Sequence, residues 1–319
     1  MLSVLIICFS LGLLMGLPIV FVMGISAACA MLISEPMAAI LIPQQFFAGI
    51  NSTTLTAIPF FILAAELMGA GELTPALLRF AKSLVGHIKG GLGYSSILTS
   101  VMFAGISGSA LADAAGPGVI DRQMMKEDGY SPEYASAISC ANAVVGPIIP
   151  PSILAIIYAT TDSRVTVGAL FMAGVLPGFL LASAVAAANF FLIRKRGYTN
   201  VRVRKTIFEI IKLSFKASPA LMMPVIILVG IRGGVFTPTE GAAVAAAYAM
   251  FIGFFVTRKL KFKMLPQVLL QSALATAAVL LIVSMATLFA NVLTTLRLPD
   301  MLAQYAVQLT DNRVIALLI

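Results

Sequence analysis

Long apolar runs joined by short polar links make up nearly all of this chain. They fall at about 2–14, 15–34, 46–70, 91–119, 135–160, 165–193, 206–231, 236–257 and 264–296, and a last one starts near 301 and runs to Ile319. Most are long enough to cross, or nearly cross, a hydrocarbon layer of about 30 Å as a helix. Two of them are interrupted. The first interruption is Gly105-Ile-Ser-Gly-Ser-Ala-Leu-Ala-Asp-Ala-Ala-Gly-Pro-Gly118. The second is Asn142-Ala-Val-Val-Gly-Pro-Ile-Ile-Pro-Pro-Ser152, where three prolines and a glycine within six residues stop a helix in mid-span. Non-helical backbone at membrane depth is tolerated only where protein buries it or where it lines a cavity. Interrupted apolar spans are the sequence mark of a secondary transporter's binding site. The pattern therefore predicts an all-α polytopic membrane protein with a re-entrant helical hairpin over about 91–125 and a discontinuous helix over about 135–160.

Composition removes the soluble alternative. Sixty per cent of residues are hydrophobic, 11% are charged and the mean hydropathy is +1.02, against about 25% charged residues in ordinary soluble domains. Met1–Ser34 has no basic n-region and no clear cleavage site, and reads as retained membrane segment rather than signal peptide. The net charge of +8 comes from cations in the links, which argues against nucleic acid and for the positive-inside bias. With Met1 outside and 91–119 entering and leaving on one side, only Arg164, Arg232, Arg297 and Arg313 of the 21 Lys and Arg are external. A full crossing there would invert every later link, so the charges support the hairpin as well as a periplasmic N-terminus. Residues 202–217 alternate cations with apolar groups at helical spacing and predict an amphipathic helix on the cytoplasmic surface. Cys8, Cys29 and Cys140 have no metal-like spacing and read as small buried residues, and His87 stands alone in a link.

Met15–Ser34 resembles Phe236–Val256, each a proline followed by a small-residue-rich helix, with an offset of 220 from Pro18 to Pro238. The charge-derived topology gives the two copies opposite orientations, as in an inverted repeat. The same offset puts the counterpart of the Ser107–Ser109 break near 327–329, beyond Ile319. The reading therefore expects a chain that lacks its second hairpin and ends within the apolar run Val314–Ile319.

The interruptions carry the candidate chemistry. Ser107-Gly108-Ser109 forms the hairpin tip, where freed carbonyls and serine hydroxyls offer hard oxygen ligands suited to Na+. The following helix N-terminus can receive a carboxylate through its free N–H groups. Gly146, Pro147, Pro150, Pro151 and Ser152 unwind the second span and expose carbonyls beside the tip, with Asn142 just before them. Asp113 is an acid at membrane depth, read as a cap or packing group that can also balance a cation; Glu66 is a second. Thr237, Pro238 and Glu240 form a capping box that opens a helix.

Together these segments resemble the large (DctM-like) membrane subunit of TRAP (tripartite ATP-independent periplasmic) transporters. The matching stretches are Ala57-Ile-Pro-Phe-Phe-Ile-Leu-Ala-Ala-Glu-Leu-Met68, Val85-Gly-His-Ile-Lys-Gly-Gly91, Phe103-Ala-Gly-Ile-Ser-Gly-Ser-Ala110 with Ala112-Asp113, Gly146-Pro-Ile-Ile-Pro-Pro-Ser-Ile153, Phe171-Met-Ala-Gly-Val-Leu-Pro-Gly178 and Thr237-Pro-Thr-Glu240. The resemblance implies an elevator-type, Na+-coupled importer in a bacterial inner membrane, with Na+ as coupling ion and no other cofactor. It implies two partners, a small four-helix membrane subunit and a periplasmic binding protein. That protein delivers an organic acid such as a C4-dicarboxylate or sialic acid. It places Na+ at Ser107, Gly108, Ser109 and Ser152, with ion and substrate contacts extending to Asp113, Asn142, Gly146, Pro147, Pro150 and Pro151. Gly116-Pro117-Gly118 and Asp121 depart from the apolar run usual after the tip, and the family's second hairpin has no counterpart in the sequence.

The resulting organisation has scaffold helices of repeat 1 over 1–45, an arm over 46–90 and transport elements over 91–200, including a helix at 165–193. An amphipathic helix and the repeat 2 scaffold follow over 201–257, then a second arm and the start of the incomplete transport half over 258–319. Three rival readings compete: a Na+/divalent-anion symporter that needs no binding protein, a non-transporting remnant, and an intramembrane enzyme. The enzyme has least support, because no metalloprotease motif or nucleophile elbow is present.

Overall fold

A computed structural model describes residues 1–34, 39–162, 164–198 and 205–309. The described residues are helical, with no strand. In chain order the helices are α1 (Leu2–Leu14), α2 (Ile19–Ser34), α3 (Leu41–Ile50), α4 (Ala57–Ala70), α5 (Leu73–Val85), α6 (Gly91–Ser107), α7 (Ala110–Ala115) and α8 (Pro117–Glu127). They continue as α9 (Pro132–Ala143), α10 (Ile153–Thr161), α11 (Val167–Arg196), α12 (Ile207–Arg232), α13 (Pro238–Phe251), α14 (Leu265–Thr295) and α15 (Leu298–Leu309). Among the described residues, four helices are long and apolar enough to cross a membrane: α11, α12, α13 with a π-helical extension to Val256, and α14 with the turn before it. Their outward surfaces are apolar, as at Leu176, Phe179, Leu180 and Phe191 of α11, each more than half exposed. The apolar run Val314–Ile319 and residues 202–204 lie outside the described residues.

The chain divides into two compact units. The smaller comprises Met1–Ser52 and the described part of Ala277–Ile319. In it Leu5 of α1, Ala27, Ala30 and Met31 of α2, and Leu288 and Val292 of α14 form one buried cluster. Gly12 lets Val22 approach α1 closely, and Gly24 leaves room for Met285.

The larger unit, Thr53–Thr276, contains both interruptions. Here α13 lies along α4 through a seam of small residues, Ala242, Ala245, Ala246 and Ala249, at helical spacing. Such a seam lets two backbones approach closely where lipid supplies no hydrophobic drive. On α4, Ala57, Phe61, Ala64 and Met68 are all buried. Phe61 also meets Phe171 edge-on, with ring centroids 6.4 Å apart. A second cluster joins Leu92, Ile97 and Ala104 of α6 to Tyr134, Ala135 and Ile138 of α9, Val145 and Ile149 beyond it, and Ala182 of α11. The Tyr134 hydroxyl donates to Asn189 Oδ1 at its rim.

Local chemistry sets the helix ends. Ser131 Oγ accepts from Tyr134 N–H at 3.3 Å ahead of α9, and Thr166 Oγ1 accepts from Ala169 N–H at 3.2 Å ahead of α11. The Thr237–Glu240 capping box is present: Thr237 N–H donates to Glu240 Oε2 at 2.8 Å, and Glu240 N–H to Thr237 Oγ1 at 3.3 Å. Between α10 and α11, Arg164 donates to both carboxylate oxygens of Asp162 at 2.9 Å. That pairing holds the Asp162 carboxyl below its usual range.

Three expectations are corrected. The run 46–70 is two helices rather than one: α3 ends at Asn51, and in the polar stretch Asn51-Ser-Thr-Thr54 the Thr53 carbonyl accepts from the Thr239 hydroxyl at 2.9 Å. The link after Met68 holds a full helix, α5, turned 72° from α4. The cysteines are not all buried: Cys140 is exposed, and Cys8 and Cys29 are partly so.

Candidate ion and substrate site

The first interruption is a helix–turn–helix. Helix α6 ends at Ser107, and Gly108 turns the chain with φ 59° and ψ 17° while its N–H bonds back to Ala104 at 3.1 Å. This left-handed backbone favours glycine, the usual residue at a helix C-terminus of this type. Ser109 returns to extended backbone and caps α7, its Oγ accepting from Ala112 N–H at 3.3 Å. Helix α7 has only six residues, since Gly116-Pro117 breaks it and starts α8, which packs back along α6. The departure at Gly116-Pro117-Gly118 thus splits the returning leg into two short helices.

The second interruption unwinds residues 144–152 between α9 and α10. Ser152 closes it as the N-cap of α10: its Oγ accepts from Ala155 N–H at 3.2 Å, and its hydroxyl donates to the Pro147 carbonyl.

These two segments interlock. An ideal Cβ on Gly108 would collide with the Pro151 carbonyl and lie 3.2 Å from Ser152 Cα. One on Gly146 would lie 3.2 Å from both the carbonyl carbon and oxygen of Ser109. Glycine on each side lets main chain touch main chain, so the carbonyls of the turn and of the unwound span share one small volume. Ser107, Gly108 and Ser152 are buried there, and Ser109 is partly exposed. Serine at 109 and at 152 spends one lone pair of its hydroxyl on a helix N–H and retains another. The donor set is hydroxyls and peptide carbonyls, which fits a small hard cation. Beside it the N-terminus of α10 presents N–H groups suited to an anion. Ser107, Gly108, Ser109, Gly146, Pro147, Pro151 and Ser152 thus lie together around this contact. Pro150 sits at the edge, its carbonyl facing Gly105 at 3.7 Å from an ideal Cβ.

Asp113 and Asn142 belong elsewhere. Asp113 is 1% exposed and faces Ser100 of α6, yet neither carboxylate oxygen closes a hydrogen bond among the described residues. It does not cap α7, because Ser109 does. Asn142 donates from Nδ2 to Ser96 Oγ at 2.9 Å, and Ser96 in turn faces Asp121. Ser139 donates to the Gly118 carbonyl at 3.2 Å. The hairpin interior therefore holds a buried polar layer of Ser96, Ser100, Asp113, Asp121, Ser139 and Asn142. Sequence reasoning missed Ser96, Ser100 and Ser139 and passed over Asp121 as a departure from pattern. The available signal was the i, i+4 spacing of Ser96 and Ser100 opposite the two acids.

Comparison with known proteins follows the same lines. The sequence model of the tripartite ATP-independent periplasmic transporter, DctM component, matches residues 6–319. The sialic acid TRAP transporter large permease protein SiaM of Vibrio cholerae is 38% identical over 312 residues, covering 97% of this chain and 72% of that protein. The C4-dicarboxylate TRAP transporter large permease protein DctM of Pseudomonas aeruginosa is 37% identical over 287 residues, 90% of this chain and 67% of that protein. The isethionate TRAP transporter permease protein DctMQ of Oleidesulfovibrio alaskensis is 36% identical over 310 residues, 97% of this chain and 49% of that protein. These relatives are permeases rather than enzymes, which sets the intramembrane-enzyme reading aside. With a family match over nearly its whole length, the chain belongs to the DctM family, the large membrane subunits of tripartite ATP-independent periplasmic transporters.

Proposed function

We propose that this chain is the permease subunit of a Na+-coupled, binding-protein-dependent importer of organic anions in a bacterial inner membrane. The observation that carries the reading is the interlock of the Ser107–Ser109 turn with the unwound Gly146–Ser152 span. Na+ is held by carbonyls and hydroxyls of Ser107, Gly108, Ser109 and Ser152. The anionic head of the substrate lies beside it, toward the N-terminus of α10. Sialic acid and C4-dicarboxylates, named for two relatives, share a carboxylate and define the substrate class. A periplasmic binding protein delivers the substrate, and a small membrane subunit completes the permease.

The anion alone does not satisfy such a site, so Na+ binds first and orders the tip. The cation held among carbonyls then offsets the cost of bringing a carboxylate out of water, and the substrate follows and closes the site. The α6–α8 hairpin then moves with its cargo as a body, in the elevator manner, while the scaffold helices stay fixed.

Uptake into proteoliposomes holding this chain, the small subunit and the binding protein tests the reading. Labelled sialic acid and a labelled C4-dicarboxylate should accumulate under an inward Na+ gradient, and an equal choline gradient should give no uptake. Replacing Ser107 and Ser109 by Ala should raise the half-saturating Na+ concentration several-fold. Uptake without Na+, or without binding protein, would overturn it.

A further inference from the structure

Two elements of the larger unit mark the depth of the membrane interface independently of transport. Helix α5 turns 72° away from the apolar α4. It buries Leu73, Leu77, Leu78 and Ala81, while Arg79 emerges to the surface. The first turns of α12 expose Ile207 (73%), Phe208 (75%) and Phe215 (75%) among Lys205, Lys212 and Lys216. Large exposed apolar groups flanked by lysines belong at the boundary of headgroups and acyl chains.

Between these two elements lies a cavity of about 280 Å³ lined by Arg79, Lys82 and Ser83 of α5, His87 of the next link, and Lys205 and Leu213 at α12. Among the described residues no carboxylate lines it. A cavity lined by Arg79 and Lys205, with Lys82 close to Asp121 as well, calls for an anion rich in acceptor oxygens. At about 30 Å³ per water-sized group it holds roughly nine such groups, the scale of a glycerophosphate. Leu213 of α12 offers an apolar wall for the start of the attached chains.

We propose that this cavity seats the phosphate headgroup of an anionic phospholipid. Arg79 of α5 and Lys205 at the start of α12 hold the phosphate, and the acyl chains leave past Leu213. Basic pockets between membrane helices bind such headgroups by the same chemistry. Bound lipid ties α5 to α12 across the rim of the unit. The site is separate from the hairpin tip, so its failure would leave the transport reading standing, and the reverse holds too.

Native mass spectrometry of the purified, delipidated chain tests it, with short-chain phosphatidylglycerol, phosphatidylcholine of equal chain length, and inorganic phosphate as competitor. One phosphatidylglycerol should bind, and phosphatidylcholine should not compete. Each surface cation is worth about fivefold in affinity, so the double variant Arg79→Gln/Lys205→Gln should bind roughly 25-fold more weakly. Lys126→Gln, which removes an exposed cation of α8, should bind as wild type does, and the charge-keeping Arg79→Lys/Lys205→Arg should retain most of the affinity. Wild-type affinity in the Gln double variant would overturn the proposal, as would an equal loss in Lys126→Gln. Equal binding of phosphatidylcholine, whose choline cation neutralises the same phosphodiester, would overturn selection for an anionic lipid, and displacement by inorganic phosphate at equal concentration would mean the cavity takes a free anion and no lipid.

Discussion

Gly108→Ala puts the interlock at risk with a single methyl group. Two costs add. The backbone at φ 59° is left-handed, which costs a non-glycine residue about 1–2 kcal/mol. The new Cβ also meets the Pro151 carbonyl and Ser152 Cα, both backbone-fixed groups that cannot rotate away. Forcing a group into a packed site of this kind costs about 1–3 kcal/mol more. The sum, roughly 2–5 kcal/mol, corresponds to a fall in melting temperature of about 5–15 °C for a unit of this size. Gly197→Ala supplies the control: its φ is +67° and nothing lies within 4 Å of the added carbon. It carries the backbone cost alone and should fall by only about 2–8 °C. Thermal unfolding of both variants in detergent, followed by far-UV circular dichroism, measures the difference. Gly108→Ala losing no more than Gly197→Ala would refute the contact between the tip and the unwound span.

Three further outcomes follow from the same geometry. Asn142→Ala and Ser96→Ala each break the 2.9 Å buried bond between α9 and α6 and should each destabilise by about 1–3 kcal/mol; in a double-mutant cycle with chemical denaturant they should couple by about 0.5–3 kcal/mol, and strict additivity would remove the polar layer. Thr237→Ala removes one arm of the capping box ahead of α13 and should cost about 1 kcal/mol, whereas Thr237→Ser should cost little; equal losses would show that the methyl group matters rather than the hydroxyl. Phe171→Ala opens a cavity against Phe61 and should cost about 3–5 kcal/mol, read as a loss of folded protein after a heating step at fixed detergent concentration.

What the sequence made legible, and what it hid, follows the range of the forces involved. The break at Ser107–Ser109 and the proline cluster at 146–151 are local backbone effects, and both appear where the residues put them. The capping box at Thr237 and Glu240 is local in the same way. The run 46–70 looked continuous because Phe, Ile and Leu outweigh four small polar residues at 51–54 in any hydropathy window, although those four decide where the helix stops. Helix α5 hid beneath Arg79 and Lys82, which mark a link by charge while its leucines build an amphipathic surface helix. The contact of Gly108 with Pro151 and Ser152 spans more than forty residues and depends on how α6 and α9 pack. No spacing rule encodes it. Ser96 and Ser100 look like small packing residues until Asp121 and Asp113 arrive opposite them.

Na+ titration of thermal stability in the purified protein tests the central claim most directly, since it needs neither substrate nor partner. A ligand that binds only the folded state stabilises it by about 2.7 kcal/mol at a hundred times its dissociation constant. Na+ should therefore raise the melting temperature of the wild type saturably, while choline at equal ionic strength does not. The variant Ser107→Ala/Ser109→Ala should need a clearly higher Na+ concentration for the same rise. Identical curves for Na+ and choline, or a serine variant that follows the wild type, would contradict a cation site at the hairpin tip.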